Sequence, residues 1–184
     1  MALKATICKV SVSISDMDRH YYQNHQLTLA QHPSETTERL MARLLVWILH
    51  ASERLEFTRG LSATDEPDLW ERDDTGQIQH WLELGHPDEK RLKKASSLAQ
   101  RVTICSYQGR VSTQWWETHR LPISSLSNIS VLHLPQSAME ALPGFYNRTM
   151  DIQIIIQDNT LWFSNESETI EITPEWLLIS PSTP

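Results

Sequence analysis

The pattern of the sequence predicts an α/β (α+β) fold: a mixed β-sheet flanked by helices, with additional antiparallel strands. Three stretches carry that expectation. Gln77 to Leu84 alternates polar and apolar residues, a helical stripe follows, and an apolar run returns at Val102 to Tyr107. That is the strand–helix–strand length a parallel crossover needs. Behind His32-Pro33-Ser34, the residues Leu40, Leu44, Trp47, Ile48, Ala51 and Leu55 recur at helical spacing. From Met150 onward the period is two, with a turn at Asp158-Asn159, which predicts consecutive antiparallel strands.

In order along the chain, Ala5 to Ile14 places Ile7, Val10, Val12 and Ile14 on a half-buried strand, with Leu27 to Ala30 as its hairpin partner. Ser34 is expected to cap the first helix, and Glu35 suits its positive first turn. Glu56 to Ser62 reads as extended and is expected to pair with Gln77 to Leu84, the turn being Asp73-Asp74-Thr75-Gly76. A second helix runs from about Asp88 to Gln100 on the stripe Leu92, Ala95, Leu98, Ala99 and Val102. A helix around Ser112 to Thr118, a strand Ile129 to Leu134 and a short helix Gln136 to Leu142 follow. Met150 to Ile156, Thr160 to Phe163 and Thr169 to Ile172 are the last strands. A single domain over 1–180 is expected, with 181–184 as a frayed tail.

Hydrophobic residues at 40% and charged residues at 21% suit a globular chain with no biased segment. No apolar run approaches the roughly 20 residues of a membrane span, so no membrane association is expected. Two cysteines without CxxC spacing are too few for a disulfide scaffold and point to a reducing cytoplasm. A net charge of -7 would repel nucleic acid as a whole. It still leaves room for an acidic metal site beside a local basic patch.

The order acid, acid, base stands out: Pro67-Asp68, then Glu83-Leu84-Gly85 at a strand end, then a helix carrying Lys90, Arg91, Lys93 and Lys94. Phosphodiester hydrolysis at neutral pH needs a cation held by oxygen ligands, an activated water and positive charge near the phosphate. Asp68 and Glu83 are therefore candidate catalytic acids and metal ligands, for magnesium or manganese. Glu38, at the start of the first helix, is a candidate third ligand, although a first-turn acid also suits the helix dipole. At 100° per residue, Arg91 and then Lys94 fall nearest the apolar stripe of the second helix, so these two are the candidate catalytic cations. Glu83 shares its strand face with Trp81 and follows it inward if that ring packs in the core. The competing reading is plain: strand-end acids are usually solvated and a basic helix face is usually wet. His80 and His86 flank the acids as candidate supporting groups, and Trp115 or Trp116 either stacks a base or packs in the core.

Several stretches together resemble the YaeQ family: Met1-Ala2-Leu3-Lys4-Ala5-Thr6-Ile7, His32-Pro33-Ser34-Glu35-Thr36 with Glu38-Arg39, Phe57-Thr58-Arg59-Gly60-Leu61, Asp65-Glu66-Pro67, Trp81-Leu82-Glu83-Leu84-Gly85, Pro87-Asp88-Glu89 with Lys93-Lys94-Ala95, and Arg148-Thr149-Met150. The likeness spans almost the whole chain. It implies a variation on the PD-(D/E)XK restriction-endonuclease-like core, in which two acids bind magnesium and a lysine follows the second acid by two positions. Asp68 and Glu83 match the acids, whereas Gly85 stands where the lysine would be, so Lys94 or Arg91 would have to replace it. Two functions follow as expectations. One is a magnesium- or manganese-dependent phosphodiesterase acting on nucleic acid. The other is a module that binds nucleic acid or protein without chemistry, such as one used in transcription; no particular protein partner is implied.

Overall fold

The structure is a computed structural model that describes residues 4–182. They form two compact units, one from the chain up to Leu44 together with Ser137–Pro174, the other from Leu45–Gln136 together with the segment from Glu175 on.

The first unit is a five-stranded sheet of order β10-β9-β8-β1-β2. Strand β1 (Thr6–Asp16) pairs antiparallel with β2 (Tyr21–Gln31) and parallel with β8 (Thr149–Gln157). Strands β9 (Thr160–Ser164) and β10 (Thr169–Ile172) complete it as antiparallel neighbours. The alternation in the sequence is realised literally: Cys8, Val10, Val12, Ile14, Met150, Ile152, Ile154 and Ile156 are buried. The turn joining β8 to β9 holds Asp158 and Asn159 at φ 52° and 59°, the left-handed pair that suits a two-residue hairpin. The carboxylate of Asp18 accepts both their N–H groups at 2.8 Å.

Helix α1 (Thr37–Leu49) starts later than Ser34 and stops before Leu55. Thr36 takes the capping role, its hydroxyl accepting the Arg39 N–H, while the Ser34 hydroxyl is occupied by His32 Nδ1. Glu35 is buried, and both its oxygens accept from the equally buried Arg43 at 2.7 and 2.8 Å. Short helix α4 (Gln136–Ala141) runs into a 3₁₀ turn over Leu142–Phe145.

The second unit is a six-stranded sheet of order β11-β7-β6-β5-β4-β3. Strands β3 (Leu55–Phe57), β4 (Leu69–Arg72) and β5 (Ile78–Leu84) form an antiparallel meander. The partner of β5 is thus β4, and the segment from Glu56 pairs one strand further out. Helix α2 (Glu89–Leu98) then carries the chain to β6 (Ala99–Ser106), which is parallel to β5 as the crossover length predicts. Helix α3 (Gly109–Ser124) leads to β7 (Ile129–His133), parallel to β6, and β11 (Glu175–Leu178) closes the edge antiparallel. Trp81, Leu92, Ala95, Val102, Ile104, Ile123, Ile129 and Val131 form one buried core. Strand β11 does not figure among the expected elements. Of the expected frayed tail, Ser182 donates its N–H to Ser180 Oγ, and residues 183–184 lie outside the described residues. Among the described residues no helix is long and apolar enough to cross a membrane.

Candidate functional site

Strand β5 settles which way Glu83 faces. Trp81 is fully buried, so Glu83, two residues on, is carried to the same sheet face. The indole Nε1–H of Trp81 donates to Glu83 Oε2 at 2.8 Å. Across the sheet, β4 opens at Leu69 opposite Leu82, which sets Asp68 alongside the end of β5. There the Asp68 N–H donates to the Leu82 carbonyl, and its Oδ2 accepts the Leu84 N–H at 2.8 Å. Asp68 is buried, at 5% exposure, with the Leu84 N–H on its carboxylate.

The third member comes from α2. Asp88 caps that helix by accepting the Arg91 N–H, which fixes where Arg91 leaves the first turn. Its Nε donates to both oxygens of Glu83, at 2.8 and 3.0 Å. The terminal nitrogens donate to the carbonyls of Thr64 and Glu66, and the guanidinium lies 5.0 Å from the centre of the Trp81 ring. Burial pushes the Glu83 carboxyl above its ordinary range; the Trp81 and Arg91 contacts oppose that rise, and the neighbouring charge of Asp68 adds to it. Glu83 thus faces the Arg91 guanidinium directly, and Asp68 lies near enough for its charge to act on Glu83.

Of the residues expected at the site, the structure brings together Asp68, Glu83 and Arg91. Lys94 lies exposed on α2, one turn beyond Arg91, and Glu38 lies half-buried in the first turn of α1, in the other unit. Among the described residues no group of three His, Cys, Asp or Glu is placed to hold a metal ion.

His80 faces away from Glu83 along β5, its Nε2 2.8 Å from Thr103 Oγ1 and its ring edge-on to His50. Burial holds its pKa well below the ordinary value, so it is neutral. His86 sits against Tyr107 and Trp115 instead of the acids, and Trp115 is core, donating its indole N–H to the Pro87 carbonyl. Beside them His133 Nδ1 meets the buried hydroxyls of Ser106 and Ser112, which satisfies the polar ends of β6 and α3.

The sequence reasoning did not single out Trp70 and Arg72. Trp70 pairs with Trp81 in register, and the Arg72 guanidinium lies 4.5 Å from the centre of its ring. The signal is present in Leu69-Trp70-Glu71-Arg72, an aromatic and a cation two apart, once that run is read as a strand.

A family model described as "YaeQ protein" matches residues 1–174. The uncharacterized protein YaeQ of Salmonella typhi is 48% identical over 172 residues, covering 94% of this chain and 95% of that one. Its counterpart in Escherichia coli (strain K12) is 45% identical over the same shares. Among solved structures, the crystal structure of YaeQ protein from Xanthomonas axonopodis pv. citri superposes with a TM-score of 0.93 at 45% identity, covering 96% of this chain and 99% of that one. YaeQ protein from Pseudomonas syringae gives 0.90 at 33% identity, covering 96% and 97%.

Proposed function

The chain belongs to the YaeQ family, and from the pairing of Asp68 with Glu83 across β4 and β5 we propose that it is a metal-dependent phosphodiesterase acting on nucleic acid. The order helix, three-strand meander, helix and parallel strand supports a PD-(D/E)XK-like core with its acids at the start of β4 and the end of β5. What supports a magnesium or manganese site is the chemistry of the donors, since Asp68 and Glu83 offer the hard carboxylate oxygens that such ions take. Asp68 and Glu83 would hold it, and the bound ion would supply the charge that activates water and offsets the charge developing on phosphorus. Arg91 orients Glu83 through its Nε and keeps positive charge on the phosphate side. Lys94, exposed on the same helix, meets the incoming phosphate chain. At Gly85, φ is +103°, a backbone in which a lysine would be strained, so the cation comes from the helix.

A second reading has its own observation. Both Glu83 oxygens are already taken by Arg91, which thereby stands where a metal cation would, and that favours a binding module without chemistry. Manganese titrated calorimetrically into the wild type and Asp68→Asn separates the two, because asparagine can still accept the Leu84 N–H. Micromolar binding lost in Asp68→Asn, with manganese-dependent cleavage of single- or double-stranded DNA or RNA lost alongside, is the expected result. Heat identical in both proteins, with no cleavage, overturns the phosphodiesterase reading in favour of the module.

A further inference from the structure

Strand β4 continues past Asp68 into a surface the acid pair does not use. Trp70 follows Asp68 by two residues, roughly 7 Å along the strand, and shares the sheet face of its partner Trp81 and of Glu83. Its ring is half-buried, and the guanidinium stacked 4.5 Å over it comes from Arg72 on the same strand. That arginine is loosely held: its carboxylate contact is Glu56 at 3.4 Å, with the two side chains 42% and 60% exposed. Such a pair contributes little and yields easily to another ligand.

We infer that Trp70 and Arg72 form a subsite that takes one unstacked nucleobase beside the phosphodiester at Asp68 and Glu83, so that the site selects single-stranded over duplex nucleic acid. The inference rests on the phosphodiesterase reading for the position of the phosphate. Its chemistry is independent: a base in a duplex already has both faces stacked, whereas an unpaired base offers a free π-face to an indole and a guanidinium. Charge argues for stacking as the main attraction, since Glu56, Asp68 and Glu83 outnumber Arg72 and Arg91 along this face. The surface beyond Arg72 limits the subsite to a single nucleotide. There a cleft of about 430 Å³ is lined by Glu53, Arg54, Glu56, Arg72, Asp73 and Asp74, and its four carboxylates turn a phosphate chain away.

The test is fluorescence anisotropy of a labelled DNA oligonucleotide and of its duplex with the full-length protein in EDTA. The single strand should bind at least tenfold tighter. Trp70→Ala should weaken it by roughly five- to 150-fold, the range that base–aromatic stacking spans, and Trp70→Phe should keep most of the affinity. Arg72→Met should weaken single-strand binding by less than Trp70→Ala does, because it removes the guanidinium stack and leaves the indole. Equal binding of duplex and single strand, or an unchanged Trp70→Ala that unfolds in urea like the wild type, overturns the subsite. So does an equal loss in Trp70→Ala and Trp70→Phe, which marks a purely structural ring. The underlying reading fails separately: if no manganese binds and nothing is cleaved, yet single-strand binding still depends on Trp70, the subsite stands on a non-catalytic module. If manganese-dependent cleavage is found and Trp70→Ala cuts duplex and single strand as the wild type does, the enzyme stands and the subsite falls.

Discussion

Arg91 over Trp81 and Arg72 over Trp70 are the same contact made on paired positions of neighbouring strands, and they differ in what surrounds them. Trp81 is in the core under α2; its arginine meets both oxygens of a largely buried glutamate and two backbone carbonyls. Trp70 lies at the rim, where its arginine shares one long contact with a solvated glutamate. The lesson is that desolvation, not the list of partners, decides whether an arginine–aromatic pair is architecture or a surface open to a ligand.

The sharpest way to break this contrast is to remove the carboxylate from each arginine. Glu83→Ala strands Arg91 in a dry place and should cost roughly 2–4 kcal/mol in urea unfolding, whereas Glu56→Ala should stay within about 0.5 kcal/mol. Comparable losses would show that burial does not separate the two pairs. Acid tests the buried side of β5 more broadly. Because the pKa of folded His80 is depressed, its contribution is complete above the unfolded value near 6.5 and is lost as pH falls below it. Stability should fall as pH drops from about 6.5 toward the folded pKa of His80, and His80→Gln should flatten that slope. Glu83 has the opposite sign: its raised pKa means the folded chain gains stability relative to the unfolded one as pH falls through the folded value toward about 4.3, so Glu83→Gln should remove a gain, not a loss. Smaller still, Arg91→Lys should cost about 1–2 kcal/mol by losing the forked contact, and Arg72→Lys should leave the melting temperature within experimental error.

How much of this could be read from the sequence varies by element for physical reasons. Strands β8 to β10 were legible because one face is buried and the other wet, so burial alternates over Thr149–Gln157, with Ile155 the apolar residue on the wet face. Strand β2 was legible only at Leu27 to Ala30, because it is an edge strand whose one buried side chain, Leu29, falls there, while Tyr21 to Gln26 has none. Strand β4 has four residues, too few for a period to declare itself, and its absence misassigned the partner of β5. The start of α1 was read at Ser34, but His32 Nδ1 occupies that hydroxyl and Thr36 caps the helix two residues later. Asp68, Glu83 and Arg91 stood out by residue type and order. That they come to one end of β5 depends on the register of β4 against β5 and on the cap at Asp88, neither of which composition encodes.

The pairing of β1 with β8 has a consequence for how the chain is made. Asp18 and Asp158, joined in the finished sheet, are 140 residues apart, and the polypeptide between them supplies most of the other unit. At about 5–20 residues per second, the ribosome releases β8 roughly 7–28 s after β1. Through that interval the nascent β1–β2 hairpin keeps an unsatisfied edge, while Leu45–Gln136 already holds the meander, both parallel crossovers and the Asp68–Glu83 pair. Synthesis therefore delivers the candidate site before β8, β9 and β10 complete the five-stranded sheet, and β11, the edge strand of the six-stranded sheet, comes last of all.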